Sequence, residues 1–168
     1  MTPAVSFIGR SGSGKTTLLV RLIPLLREKG LRVGSVKRSH HEIEIDREGK
    51  DSWLLKQAGA DPVIAAGGNL WALIKSTEED LRLTDLLERI AKDVDLVLVE
   101  GFKNEEVPSI VVMRREIGWD PELPGKENCI GVVADCVLDT GLPRFSFNDD
   151  EKIANFIMEH IISGAAPR

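Results

Sequence analysis

Residues 4–16 restrict the fold more than any other stretch. The apolar run Ala4-Val5-Ser6-Phe7-Ile8 stops at Gly9, and Gly9-Arg10-Ser11-Gly12-Ser13-Gly14-Lys15-Thr16 then satisfies G-x-x-x-x-G-K-[ST] in full. An apolar run of this length, closed by glycine, reads as a buried parallel strand. The residues after Lys15 place Leu18, Leu19, Leu22, Ile23, Leu25 and Leu26 at the spacing of a helix that packs on a sheet. Strand, glycine-rich turn and helix together form a phosphate cradle. The glycines let the backbone curl so that its N–H groups converge on phosphate oxygens, and the helix N-terminus adds a favourable dipole. In such a loop Gly9, Arg10, Ser11, Gly12, Ser13 and Gly14 line a triphosphate. Lys15 bridges its β and γ phosphates and is the candidate catalytic residue, the Thr16 hydroxyl ligates Mg²⁺, and Thr17 begins the helix on the α-phosphate side.

The rest of the chain alternates strand and helix signals. Residues 15–29 read as a helix that Pro24, inside it, should kink, with Gly30 as its stop, and residues 31–36 as the next strand. A polar stretch follows, residues 39–50, then a short helix over 51–58. Runs at 62–66 and 70–74 flank Gly67-Gly68-Asn69 and predict a hairpin, so that the mainly parallel sheet carries an antiparallel piece. Residues 83–91 read as a helix, 96–99, 109–113 and 130–134 as strands, 144–147 as a short last strand, and 149–162 as an amphipathic closing helix with Asn148 as its cap. Residues 163–168 read as a frayed tail. The alternation predicts an α/β fold of the P-loop NTPase kind, a mainly parallel sheet flanked by helices, with ligands at the carboxyl edge of its strands. The whole chain, 168 residues, is of a size for one nucleotide-binding domain.

Charge and composition exclude some partners. A net charge of −5 disfavours broad nucleic-acid binding, which needs a basic surface. No stretch approaches the ~20 apolar residues of a membrane span, and Met1-Thr2-Pro3 precedes the first strand without a basic leader, so a cytoplasmic protein is expected. Cys129 and Cys136 form no CxxC pair and read as reduced thiols.

A phosphate loop needs an acidic residue at the end of another strand to hold magnesium, directly or through water. In Leu96-Val97-Leu98-Val99-Glu100-Gly101 the apolar run ends in Glu100, where aspartate is the commoner choice, and Gly101 would let the chain pass close to the γ-phosphate. Asp46, in the polar loop after the second strand, is a second candidate ligand. Lys37, Arg38, Ser39, His40 and His41 follow that strand directly, so they belong at the phosphate edge. They suit contact with an anion or substrate; a solvated loop would carry the same residues, and adjacent histidines rarely chelate one ion. Lys103 follows Glu100-Gly101-Phe102 and is a further candidate anion contact. Trp53 and Trp71 read as packing residues rather than base-stacking platforms.

Taken in order, residues 9–17, the Lys37–His41 cluster, Asp46 with Gly49-Lys50-Asp51-Ser52, Ala58-Gly59-Ala60, and Leu-Val-Leu-Val-Glu-Gly-Phe-Lys at 96–103 resemble the MobB family of molybdopterin-guanine dinucleotide biosynthesis proteins over about residues 4–160. The resemblance implies a homodimeric, GTP-binding accessory protein with weak GTPase activity. Such a protein assists the MobA-type guanylyltransferase that attaches GMP to molybdopterin, and molybdopterin itself is a candidate ligand. The Glu-Gly form of the magnesium motif is shared by relatives in this class. Arg38 departs from the pattern, which places histidine there, and this puts a general-base role at that position in doubt. No N-K-x-D motif selects guanine; Asp135, after the strand at 130–134, is the candidate acceptor for guanine N1 and N2. Two other readings stand beside this one. A small-molecule kinase or ATP-dependent ligase would use the same cradle but needs an acceptor lid, and no arginine-rich lid is visible. An interaction module could keep nucleotide as a structural ligand only.

Overall fold

The computed structural model describes residues 2–39, 43, 45–102, 105–118 and 127–164. The chain packs as two compact units: Met1–Arg38 with Leu83–Arg168, and Ser39–Arg82. In sequence, the smaller unit falls between β2 and α3 of the main one.

The main unit holds a six-stranded sheet in the order β2-β5-β1-β6-β7-β8. Its strands are β1 (Ala4–Ile8), β2 (Val33–Lys37), β5 (Leu96–Glu100), β6 (Ser109–Met113), β7 (Cys129–Ala134) and β8 (Arg144–Phe145). Every pairing in it is parallel. Parallel strands covered on both faces read as unbroken apolar runs, and β1, β5 and β6 are buried at every position. Helices α1 (Lys15–Glu28) and α4 (Asp150–Ile157) cover one face, where Leu18, Leu22, Leu26, Ile153 and Ile157 pack on Val5, Phe7, Leu96, Leu98 and Ile110. Helix α3 (Leu83–Ile90) covers part of the other, with Leu83 and Leu87 against Val36, Val97 and Val99.

The expected elements are present, with three corrections. The closing helix is capped by Asp149, not Asn148, and its carboxylate makes no cap bond. It turns back instead to accept from the Ser146 amide at 2.7 Å and from Lys152 at 2.8 Å. The same helix does not run uniformly to 162: from Met158 to Ser163 it is wound as a π-helix. The last strand is shorter than expected and ends at Phe145 rather than at residue 147, while α1 continues through Pro24 as one helix. Residues 165–168, most of the expected tail, lie outside the described residues.

The smaller unit contains α2 (Asp51–Gln57) and the antiparallel pair β3 (Val63–Ala66) and β4 (Trp71–Ile74). The hairpin forms as expected, with the Gly67 amide donating to the Leu70 carbonyl at 2.8 Å. It is a separate two-stranded sheet and joins no strand of the parallel one. In this register Ile64 faces Leu73 and Ala66 faces Trp71, so these four side chains share one surface. That surface is open: Trp71 is 68% exposed and Ile64 65%. The expectation that Trp71 is a packing residue therefore fails within this chain, because the alternation of β4 turns Trp71 and Leu73 away from the buried side.

Arg32 and Asp95 tie the starts of β2 and β5 together: the Asp95 carboxylate accepts from Arg32 Nη2 at 2.7 Å, Nε at 3.1 Å and the amide at 2.8 Å. This pairing holds the Asp95 carboxyl down to about 2. A carboxyl depressed by folding contributes stability above its unfolded value and loses it as the pH falls toward the folded value. The urea midpoint should therefore drop between about pH 4 and about pH 2. Asp95→Asn should start lower at neutral pH and fall less over that window; an unchanged pH profile would remove the pair from the acid response.

Candidate functional site

Parallel register brings the chemistry to one edge. Lys37 and Phe7 both pair with Glu100, Ile8 pairs with Val111, and Met113 pairs with Ala134. The residues that follow these strands, Gly9, Arg38, Gly101, Arg114 and Asp135, therefore emerge along one carboxyl edge of the main unit.

The loop from Gly9 to Gly14 is held tightly from below. A methyl group on Gly9 would lie 2.2 Å from the Val112 carbonyl oxygen, so no larger residue fits there. Lys15 Nζ turns over the loop and donates to the carbonyls of Gly9 at 3.1 Å and Arg10 at 2.8 Å. The Ser13 hydroxyl is buried and has no hydrogen-bond partner among the described residues. A buried polar group left in that state costs on the order of 1–3 kcal/mol, and a phosphate oxygen over the loop is the acceptor its chemistry suits.

Beside the loop, Thr16 and Glu100 meet. The Thr16 hydroxyl lies 3.0 Å and 2.9 Å from the two carboxylate oxygens. Lys37 Nζ approaches both, donating to Thr16 Oγ1 at 3.3 Å and standing 3.5 Å from Glu100 Oε1. Glu100 is 8% exposed, so its charge is buried against these two partners. A hydroxyl and a carboxylate side by side at a phosphate loop are the hard oxygen donors that Mg²⁺ takes together with phosphate oxygens. Mg²⁺ bound there would neutralise phosphate charge. The Arg38 amide donates to the Glu100 carbonyl at 2.8 Å, and the Arg38 guanidinium lies over the Phe102 ring, 5.5 Å from its centre.

Gly101 has φ 96°, and a methyl group on it would lie 2.5 Å from the Arg38 carbonyl oxygen. The reason for glycine visible here is thus the close approach of the chain after β2.

On the opposite side of the loop, Asp135 Oδ1 accepts from the Arg115 amide at 2.8 Å, and Asp135 Oδ2 is 4.0 Å from Arg114 Nη1. The Arg114 guanidinium lies over the Phe147 ring, 4.1 Å from its centre. Arg10 Nη1 reaches the Ile117 carbonyl at 3.4 Å. Arg114 and Phe147 were not singled out from sequence. The signal for Arg114 was present: Arg114-Arg115 follows an apolar strand just as Lys37-Arg38 does. Phe147 carried no signal, since only folding brings it beside residue 114.

Asp46 belongs to the smaller unit. Its Oδ1 accepts from the Arg47 amide at 2.9 Å and the Ser52 hydroxyl at 3.1 Å, while Oδ2 is buried with no partner among the described residues. Next to it, Gly49, Lys50, Asp51 and Ser52 line a cleft of about 600 Å³ against Val63–Ala66. His40, His41 and Lys103 lie outside the described residues. No group of three or more His, Cys, Asp or Glu side chains able to hold a metal occurs among the described residues, and no described helix is long and apolar enough to cross a membrane.

The sequence profile of the family described as molybdopterin guanine dinucleotide synthesis protein B matches residues 4–135. The chain belongs to this family. It is 42% identical to the molybdopterin-guanine dinucleotide biosynthesis adapter protein of Escherichia coli K12, over 95% of this chain and 93% of the relative. Identity to the adapter protein of Haemophilus influenzae is 40%, over 92% and 87%. A crystal structure of molybdopterin-guanine biosynthesis protein B superimposes with a TM-score of 0.76 at 34% identity, over 94% of this chain and 99% of that one. The MobB assignment made from the motifs is therefore correct, and so is the P-loop fold it implied.

The Gly101→Ala variant should lose about 1–3 kcal/mol of stability, the scale of a strained backbone position, read as a lower urea midpoint. A variant as stable as its parent would show that the chain after β2 does not press on Gly101.

Proposed function

We propose that this chain is an adapter in molybdopterin-guanine dinucleotide biosynthesis that works by holding GTP with Mg²⁺ on its phosphate loop. The observation that carries the reading is the meeting of Thr16 and Glu100 at 2.9–3.0 Å beside an intact G-x-x-x-x-G-K-T loop, with Lys37 on both. In this reading Gly9 through Thr17 and Gly101 surround the phosphates, Lys15 and Lys37 neutralise them, and Thr16 and Glu100 hold the metal. Asp135, at the end of β7, faces the guanine edge. Arg38, His40, His41 and Lys103 are the candidate contacts for a second anion such as the molybdopterin phosphate.

Turnover is slow on this reading. Phosphoryl transfer to water depends on positioning and charge neutralisation, which Lys15, Lys37 and the metal supply. Orienting the attacking water needs a free acceptor, and the Glu100 carboxylate is committed to Thr16 and Lys37. The protein then assists a guanylyltransferase of the MobA type rather than acting as the enzyme itself. A kinase or ligase on the same fold would need an acceptor-binding lid, and the sequence carries no arginine-rich segment of that kind.

Calorimetric titration of GTP, ATP and molybdopterin, each with Mg²⁺, tests the reading. GTP should bind, and Lys15→Ala should weaken it about 10- to 150-fold, the loss expected from removing a hydrogen bond to a charged group. The same variant should reduce stimulation of the transferase. Undiminished GTP binding by Lys15→Ala, or steady-state hydrolysis near the ~1–100 s⁻¹ of kinases, would overturn it.

The open apolar surface of the hairpin supports a homodimer. Ile64, Trp71 and Leu73 form one exposed face, and Leu70 at the turn is 78% exposed. Contiguous apolar surface of this kind marks an association site, and a two-fold pairing would bury the same patch on both copies. Light scattering should give a dimer at micromolar concentration, and a double variant, Trp71→Lys with Leu73→Glu, should give a monomer that still binds GTP.

A further inference from the structure

The side chains around Gly14 carry an arrangement that phosphate binding does not use. A methyl group on Gly14 would lie 3.4 Å from Arg114 Nε, Arg114 Nη2 and Phe147 Cε1 alike, so the guanidinium and the ring both border the start of α1. The two are stacked, with the Arg114 guanidinium carbon 4.1 Å from the ring centre. Phe147 is fixed from behind: its carbonyl accepts from Arg21, whose guanidinium also pairs with Asp150 at 2.9 Å, and its ring packs against the core beneath α1 and α4. Arg114 is fixed by its place at the end of β6, by the turn that brings Arg114 opposite Gly118, and by Asp135 beside it. Its side chain is nevertheless 34% exposed.

The polarity of the site says what end of a nucleotide would come here. Thr16, Glu100 and Lys37 gather on the β5 and β2 side of the loop and mark the metal and γ-phosphate end. The sheet order β2-β5-β1-β6-β7 then puts the other end of the ligand over β6 and β7, two to three strand spacings from β5, about 10–14 Å. Arg114, Asp135 and Phe147 stand there. A guanidinium plane that rests one face on an aromatic ring presents its other face as a flat platform, and planar heterocycles stack on such a plane.

We propose that Arg114, backed by Phe147, is the stacking platform for the nucleobase of the bound nucleotide. The inference rests on the nucleotide-binding reading above and adds to it the residue that holds the base by its face, whereas Asp135 would read its edge. Stacking is tolerant of base identity, so Arg114 contributes affinity for a purine ring rather than the choice of guanine.

The test separates phosphate grip from base grip. GTP and inorganic tripolyphosphate, each with Mg²⁺, are titrated calorimetrically against the full chain and its Arg114→Leu, Arg114→Lys and Phe147→Leu variants, with thermal melting as the folding control. Arg114→Leu should weaken GTP on the order of tenfold and leave tripolyphosphate within about twofold. Arg114→Lys, which keeps the charge but not the plane, should not restore GTP affinity, and Phe147→Leu should give a smaller loss of the same kind. Equal losses for GTP and tripolyphosphate would make Arg114 a phosphate ligand and overturn the platform, as would unchanged GTP affinity or full rescue by lysine. A parent chain that binds tripolyphosphate and GTP equally would sink the platform alone. A parent that binds neither would sink the nucleotide reading and the platform with it.

Discussion

A carboxylate at the end of a fully buried strand sets the arrangement of the functional edge. Glu100 closes a run of four apolar residues, and burial of its charge would be costly without compensation. Compensation comes from two directions: the Thr16 hydroxyl on α1 and the Lys37 ammonium on β2. Those partners belong to elements packed on either side of β5, so satisfying one charge fixes the helix, the central strand and its neighbour relative to one another. The close contact of Gly9 with the Val112 carbonyl does the same on the other side, seating the loop on β6. The loop is thereby placed between two strands whose ends have different chemistry, acid and amine on one side, guanidinium and aromatic ring on the other.

What could be read from residues divides along physical lines. Strands buried on both faces were legible because nothing but a run of apolar residues can fill them; β6 spans the same residues that the sequence marks out, Ser109 to Met113. The phosphate loop was legible because its spacing is dictated by backbone curvature, a local property. Glu100 was legible because charge at the end of such a run needs a reason. The hairpin was legible from Gly67-Gly68-Asn69, but its separation from the main sheet was not, since pairing between strands distant in sequence leaves no local trace. The same limit explains Trp71, an apolar residue whose exposure follows from register alone. The cap at Asp149 rather than Asn148 shows a finer limit: both residues favour that position, and the Asp149 carboxylate, held by the Ser146 amide and Lys152, makes no cap bond that a sequence pattern would signal. Arg114 and Phe147, thirty-three positions apart, meet only because β6 and the segment before α4 end on the same edge.

The family assignment and the geometry support different parts of the functional reading. Similarity over nearly the whole chain, to the Escherichia coli adapter protein among others, supports the pathway. It does not by itself say how the chain would use a nucleotide. On the proposed reading the side chains of the site suit holding a triphosphate more than hydrolysing one. Lys15 caps the loop's own carbonyls, Lys37 bridges hydroxyl and carboxylate, and both are cations that stabilise phosphate charge without accepting a proton from water. The Glu100 carboxylate, which would be the natural base, is already spent on Thr16 and Lys37.

The two units give an adapter two surfaces of different kinds. In the main unit the central strands are buried, the edge chemistry converges on one loop, and the Glu100 charge is compensated internally. The smaller unit is the reverse, a seven-residue helix and a two-stranded sheet with an apolar face left to solvent. A hairpin of that size is marginally stable without cover, so its exposed face gains from any partner that buries it. A second copy is the partner whose surface is guaranteed to be complementary in kind, apolar against apolar, and the residues it would bury on the hairpin are none of those in the phosphate loop. On that arrangement association and nucleotide binding draw on separate residues, and a substitution in the hairpin that abolishes one has no physical reason to abolish the other.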